Sequence, residues 1–141
     1  MTDEDTKRRI SEHLGLGLGL FLSIQFQATS TEYEIRNGLS RLYYAFFHAS
    51  LAFLMSQGEN VDEYRRAHGD VHSAIDRRMG KYFGRFIREL YRSRQQADYE
   101  PEFFGRSYGR DIERARADSR NLMGRANRNF YWIYNESRKA L

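Results

Sequence analysis

The chain has 141 residues, enough for one domain with its own hydrophobic core, and it contains no cysteine. The lack of cysteine excludes disulfides, thiolate nucleophiles and cysteine-based zinc sites and agrees with a reducing compartment, so we expect a cytoplasmic protein. The 23 basic residues exceed the 19 acidic ones and are nearly all arginine, which permits two interpretations, an anionic partner such as RNA or a solvated arginine-rich surface.

Apolar residues recur at helical spacing along nearly the whole chain, and Pro101 is the only proline. This pattern predicts an all-α fold, a four- to five-helix up-and-down bundle in a single domain over 1–141, with residues 1–6 disordered. We expect no membrane span and no signal peptide, because the apolar stretch near the N-terminus is short and interrupted by glycines. The first predicted helix covers 6–27, and the second runs from a cap within 29–31 to residue 57. The other three cover 62–79, 81–96 and 107–137.

Three alternating glycines lie in the first predicted helix, Gly15, Gly17 and Gly19. Glycine lowers helix stability, but it also lets a neighbouring helix approach closely. The sequence leaves both interpretations open, a close helix contact or a loose helix.

The second predicted helix has two distinct faces. Each residue of a helix turns by about 100°, so positions four, seven and eleven apart point in nearly the same direction. The polar stripe contains Asn37, Arg41, Tyr44 and His48. The apolar seam on the opposite side contains Leu39, Leu42, Phe46, Ala49 and Phe53, and we expect it in the core.

The polar stripe contains groups that can cut RNA without a metal. Histidine titrates near neutral pH and suits proton transfer, so His48 could handle the proton of a 2′-hydroxyl. Arg41 could balance the charge of the phosphorane, and Asn37 and Tyr44 could position the phosphate or sugar. The structural alternative is that Arg41 is buried and paired with a carboxylate such as Asp98, while His48 only packs.

Three sequence blocks resemble proteins of the HEPN family (higher eukaryotes and prokaryotes nucleotide-binding). They read Ser-Arg-Leu-Tyr-Tyr-Ala-Phe-Phe-His-Ala at 40–49, His-Gly-Asp-Val-His-Ser-Ala at 68–74 and Arg-Gln-Gln-Ala-Asp-Tyr at 94–99. The resemblance covers about 37–133 and is strongest to small stand-alone bacterial and archaeal members.

The resemblance implies a helical bundle that forms a homodimer and often pairs with a minimal nucleotidyltransferase antitoxin encoded beside it. Many HEPN proteins are metal-independent ribonucleases whose arginine precedes a histidine by a short interval and meets its counterpart across the dimer. Arg41 and His48 fit that interval, which makes them the candidate catalytic residues. No cofactor and no metal are expected.

Two features depart from the ribonuclease pattern. Leu42 follows the candidate arginine, where ribonuclease members usually have a polar residue. Arg65 and Arg66 also precede His72 by permitted intervals, so they form an alternative pair.

His68 and His72 are four residues apart, a spacing that can hold a metal only with a third ligand, and we do not predict a zinc site. We assign both as assisting or substrate-binding residues, with His68 either lining the same groove as His48 or completing an internal hydrogen bond. The aromatic stretch 130–134 is wider than one helical stripe, so we expect a partner chain to cover part of it.

The sequence therefore supports two hypotheses. The first is a HEPN-type toxin or defence protein, a homodimer that cleaves RNA with Arg41 and His48. The second is a non-catalytic HEPN module that binds a nucleotidyltransferase, a nucleotide or RNA, with Arg41 and Asp98 as structural partners.

Overall fold

The computed structural model describes residues 3–102, 105, 108–109 and 111–141. The described residues form five α-helices and a turn of 3₁₀ helix and contain no β-strand, so the predicted all-α fold is confirmed. The helices are α1 (Glu4–Leu22), α2 (Glu32–Ser56), α3 (Ala67–Met79), α4 (Lys81–Tyr99) and α5 (Ile112–Arg138), and the 3₁₀ turn is Val61–Glu63.

A capping box fixes the start of α2. The Thr31 hydroxyl accepts a hydrogen bond from the Glu34 backbone N–H, and the Glu34 carboxylate accepts one from the Thr31 N–H, each over 3.1 Å. These bonds satisfy two backbone donors that the first turn leaves free, and Glu32 and Glu34 place negative charge where the helix dipole favours it. The predicted cap of this helix is therefore confirmed.

α2 is the central helix of the bundle and contacts each of the other four. It runs antiparallel to α1, as shown by the contacts of His48 with His13 and of Arg41 with Ser23. Its predicted apolar seam is fully buried, consisting of Leu39, Leu42, Phe46, Ala49 and Phe53. Burial of each large side chain in this seam contributes about 1.5–3 kcal/mol.

The first helix is shifted toward the N-terminus relative to its predicted range. The Asp3 carboxylate caps the Thr6 N–H, so residues 4–6 form the first turn of α1 instead of a disordered segment. The helix ends at Leu22, five residues before the predicted 27, where the Ser23 hydroxyl donates to the Leu20 carbonyl.

Three other helix ends are set by local hydrogen bonds. α3 begins at Ala67 instead of 62, because the Asp70 carboxylate accepts from the N–H groups of Arg65 and Arg66 just before it. α4 extends to Tyr99, past the predicted 96, and Glu100 before the proline is extended. The Asp111 side chain caps α5, and the predicted start at 107 lies outside the described residues.

The glycines of α1 differ in their surroundings. A Cβ at Gly17 would lie 2.9 Å from the Ala45 carbonyl oxygen, a backbone atom of α2, whereas a Cβ at Gly15 or Gly19 would have no such neighbour within 4 Å. Gly17 therefore permits a close contact between α1 and α2, and the other two do not contribute to it.

Alanine substitutions at Gly17 and Gly15 are expected to change stability in opposite directions. Gly17→Ala forces the backbones apart and should lower the free energy of unfolding by about 1–3 kcal/mol. Gly15→Ala adds no clash and should raise it by up to about 1 kcal/mol, because alanine favours the helix. Urea unfolding measures both, and shifts of the same sign would contradict the close contact.

The aromatic end of α5 is divided between core and surface. Phe130 and Ile133 are fully buried, whereas Trp132 remains 46% exposed while packing against Phe83 and Phe53. Coverage of this surface by a partner chain stays a prediction. Among the described residues, none of the helices combines the length and apolar character that crossing a membrane requires.

Candidate functional site

His13 of α1 and His48 of α2 form a contact that we call the imidazole pair. Their Nδ1 atoms are 3.0 Å apart, and the rings meet edge to edge, with centroids 5.3 Å apart and planes inclined by 26°. Gly17 lies one turn after His13, and a Cβ there would be 3.6 Å from the Cβ of His48. The close contact of the two helices thus brings the rings together, and both are half-buried.

A hydrogen bond between two Nδ1 atoms fixes opposite tautomers in a neutral pair. The ring that donates its Nδ1–H has a lone pair on Nε2, and the ring that accepts at Nδ1 has its proton on Nε2. Among the described residues, some buried side-chain atoms have no hydrogen-bond partner, and the Nε2 atoms of His13 and His48 are not among them. The imidazole pair therefore presents one proton acceptor and one proton donor, on the two ring edges that point away from the shared hydrogen bond.

Burial favours the neutral form of both rings of the imidazole pair. Burial lowers the pKa of His13 below its usual 6.5, and the charge of Arg9 lowers it further, against a smaller opposite effect of Glu12. Burial also lowers the pKa of His48, and the adjacent His13 adds to this. Neutral rings keep the complementary tautomers that the hydrogen bond requires.

A cavity of about 270 Å³ lies beside His13, between α1, α2 and α3. Phe47 and Tyr64 line it, together with Arg9, whose guanidinium forms two hydrogen bonds of 2.9 and 2.7 Å to Asp62. The cavity gives a small ligand access to the His13 side of the imidazole pair.

Arg41 lies on the same side of α2 as His48, two turns earlier, about 10 Å along the helix axis. It is partly exposed, and its Nη1 lies 3.4 Å from the Ser23 hydroxyl. No carboxylate of the described residues forms an ion pair with Arg41. Its charge is therefore available to an anion.

The structural alternative, an ion pair between Arg41 and Asp98, is not formed, because Asp98 pairs with Arg94 of its own helix at 3.6 Å. Arg94 is 6% exposed, and its Nη1 donates to the Tyr44 hydroxyl over 3.2 Å. Its guanidinium lies 5.3 to 5.6 Å from the ring centroids of Tyr43, Tyr44, Tyr91 and Tyr99. Arg94 thus has the structural role that the alternative interpretation gave to Arg41.

The Tyr43 hydroxyl joins two histidines of α3. It lies 2.6 Å from Nδ1 of His68 and 3.0 Å from Nε2 of His72, so it donates to one ring and accepts from the other. Burial raises the pKa of Tyr43, which keeps the phenol protonated. Together with Tyr44, Tyr91 and Arg94 these residues form what we call the tyrosine–histidine cluster.

The structure separates the predicted assisting residues from His48. Tyr44, His68 and His72 belong to the tyrosine–histidine cluster, so His68 completes an internal hydrogen bond, as one of its two predicted roles required. Asn37 is half-buried and makes no side-chain hydrogen bond to the described residues.

The alternative pair of Arg65 or Arg66 with His72 is not assembled. His72 is 5% exposed and bonded to Tyr43, while Arg66 is exposed and lies 3.6 Å from Asp70. Among the described residues, no third histidine, aspartate or glutamate joins His68 and His72 in a metal-binding group.

His72 should make the fold sensitive to acid. Burial first, and then the charge of Arg88, lower its pKa from 6.5 to about 4. The unfolded chain therefore binds a proton that the folded chain rejects, so stability present above pH 6.5 is lost as the pH falls toward 4. At about 1.4 kcal/mol per tenfold change in proton affinity, the loss is about 3 kcal/mol.

Urea unfolding of the wild type and of His72→Gln at neutral and acidic pH tests this effect. Glutamine keeps an amide near the Tyr43 hydroxyl but does not titrate. We expect the variant to lose less stability in acid than the wild type, and an identical pH dependence of the two proteins would refute the assignment.

The sequence failed to identify His13, Tyr43 and Arg94 as site residues. His13 lies beside the buried residues Ile10 and Leu14 of α1 and is one of four histidines in the chain, which is a usable signal. Arg94 and Asp98 have the four-residue spacing of a helical ion pair.

Comparisons of the chain with known protein families, with curated proteins and with solved structures gave no match.

Proposed function

We propose that the chain is a HEPN-type, metal-independent endoribonuclease, a toxin or defence protein of the cytoplasm. The observation that carries this proposal is the Nδ1-to-Nδ1 contact of His13 and His48. Arg41 lies on the same side of α2 as His48 and has no carboxylate partner in the described part of the chain. These three side chains supply a ring that takes up and returns a proton, a second ring that fixes its tautomer, and a cation.

RNA cleavage by this site would proceed through the 2′-hydroxyl. The unprotonated Nε2 of the pair removes the 2′-hydroxyl proton, and the 2′-oxygen attacks phosphorus while Arg41 balances the phosphorane charge. The bond from phosphorus to the 5′-oxygen breaks, and that oxygen takes the proton back from the imidazolium so formed at His13, the ring that lines the cavity. This restores two neutral rings, with a 2′,3′-cyclic phosphate and a 5′-hydroxyl as products.

A homodimer completes this proposal. Arg41 lies about 10 Å along α2 from His48, so the arginine of a second copy can approach a phosphate held at the imidazole pair more directly. A nucleotidyltransferase antitoxin is the proposed natural inhibitor, and analytical ultracentrifugation of the purified protein measures whether the dimer forms.

Cleavage of RNA in EDTA tests the proposal. The wild type should cut single-stranded RNA, and Arg41→Gln should lose about 10²-fold or more in rate. Arg128→Gln, which removes an exposed arginine of α5, is the matched control and should cut normally. A wild type that leaves RNA intact at every salt concentration would refute the proposal.

The second candidate is a non-catalytic HEPN module that binds a nucleotidyltransferase, a nucleotide or RNA. The half-burial of His13 and His48 favours it, because a hydrogen bond between the two rings also ties α1 to α2. In that case the imidazole pair contributes to stability alone, and substitutions there would alter unfolding without a separate chemical effect.

A further inference from the structure

A groove of about 610 Å³ lies along α4 on the side where α3 packs. We call it the arginine groove, because three arginines of α4 line it. It is lined by Arg85, Arg88, Arg92, Tyr91 and Gln95 of α4 and by His72 of α3. Its volume falls within the range of about 300–1,000 Å³ that is typical of ligand sites.

The arginine groove has an excess of positive charge. Its one lining carboxylate, Glu89, is bonded to Arg125 of α5 over 2.8 and 3.2 Å. Arg85 and Arg92 are exposed and have no carboxylate partner among the described residues. Like charges on one helix face repel each other, so an anion in the groove would relieve this repulsion.

The third arginine of the groove is held in place from α3. Both carboxylate oxygens of Asp76 accept hydrogen bonds from Arg88. A Cβ at Gly84 would lie 1.5 Å from Asp76 Oδ1, so glycine at this position is what admits the carboxylate. The groove is therefore partly preorganised, with Arg88 fixed between two free arginines.

The spacing of the two free arginines fits a chain of phosphates better than a single anion. Arg85 and Arg92 are two turns apart on one face of α4, about 10 Å along its axis. Successive phosphates of an extended nucleic acid strand can reach both arginines. Tyr91 lies between Arg85 and Arg92 along the helix and Gln95 lies after Arg92, so the ring and the amide can contact bases.

We propose that the arginine groove binds the backbone of a single-stranded nucleic acid, with Arg85 and Arg92 each contacting phosphate. This binding is separate from the imidazole pair and does not depend on cleavage. The chemical class of the ligand is an oligonucleotide, recognised through its phosphates and not through its sequence.

Fluorescence anisotropy with a labelled 2′-O-methyl RNA of about 12 nucleotides tests the groove in EDTA. This probe has no free 2′-hydroxyl, so binding is measured whether or not the protein is a nuclease. The groove variant is Arg85→Gln with Arg92→Gln, and the control is Arg120→Gln with Arg128→Gln on exposed positions of α5, which has the same net charge.

We expect the affinity of the groove variant for the probe to fall by about tenfold or more. The slope of log affinity against log salt concentration should become shallower by about 1.4, because two phosphate contacts are lost and each contributes about 0.7 in a single strand. The control should stay within about twofold of the wild type. Arg85→Lys with Arg92→Lys should retain most of the binding, because the charge is kept.

Equal losses in the groove variant and the control, or no loss in either, would overturn the proposal. Displacement of the probe by an equal concentration of inorganic pyrophosphate would overturn the assignment to a nucleic acid chain and indicate a site for a small anion. Circular dichroism of each variant checks that the helices are intact.

Discussion

Arg94→Ala is expected to lower the free energy of unfolding by about 3 kcal/mol or more. The substitution removes the partner of Asp98, breaks the bond to the Tyr44 hydroxyl and leaves a cavity among four tyrosine rings. Because Arg94 is buried, water cannot readily replace the contacts that are lost. Urea unfolding at neutral pH measures the effect.

Arg94→Met separates packing from charge. The buried Nε of Arg94 has no hydrogen-bond partner among the described residues, so the arginine already carries a desolvation cost. Methionine fills similar space, and we expect it to restore much of the loss seen with alanine. Arg120→Ala, an exposed arginine of α5, is the control and should change stability by less than about 0.5 kcal/mol. A loss with Arg94→Ala as small as that of the control would contradict the structural role.

Loss of either member of the imidazole pair is expected to reduce RNA cleavage by about 10²- to 10⁴-fold. His13→Ala removes the ring that lines the cavity and moves the proton, and His48→Ala removes the Nδ1 that fixes the tautomer of that ring. Because the two rings act as a unit, the double variant should be about as slow as the slower single variant. Single-turnover rates in EDTA measure these losses.

His13→Asn distinguishes a chemical role from a structural one. The asparagine side chain can keep a hydrogen bond to Nδ1 of His48, but it has no group in the place of Nε2. We expect stability near that of the wild type together with the full loss of cleavage. Cleavage near the wild-type rate by His13→Asn would assign the pair a structural role only.

The rate of cleavage should also depend on pH in a defined direction. Burial keeps the pKa values of both rings below 6.5, so the neutral pair persists at neutral pH. The two rings titrate together, and the first proton taken up removes the free base. The rate should therefore be level at neutral pH and fall only below pH 6.5.

Local signals in the sequence identified the framework of the fold well. The cap of the second helix at Thr31 and the end of the third helix at 79 are confirmed, because each is set by its own backbone or immediate neighbours. The start of α3 was wrong, since its cap is made by Asp70 from inside the helix. Such a backward hydrogen bond is not visible in apolar spacing.

The candidate site was only partly predictable. Helical geometry correctly placed Arg41 and His48 on one side of α2, but it also grouped Tyr44 with them. Neighbouring helices cover α2 at different heights, so His48 meets α1 while Tyr44 meets Arg94 of α4. Contacts between helices depend on where they cross, and the sequence pattern of one helix does not contain that information.

The alternative pairing of Arg41 with Asp98 is absent for the same reason. Asp98 pairs with Arg94, four residues earlier in the same helix. His13 was missed because its role depends on the close contact at Gly17, which the sequence permitted but did not establish.

The 3′ ends of the RNA fragments test the central proposal most directly. Mass spectrometry of an oligoribonucleotide incubated with the wild type in EDTA should show 2′,3′-cyclic phosphate and 5′-hydroxyl ends, and a single 2′-deoxy substitution at the cleaved position should block the cut. Fragments with 3′-hydroxyl and 5′-phosphate ends, or intact RNA, would contradict the proposal that the 2′-hydroxyl attacks phosphorus in a site formed by Arg41, His48 and His13.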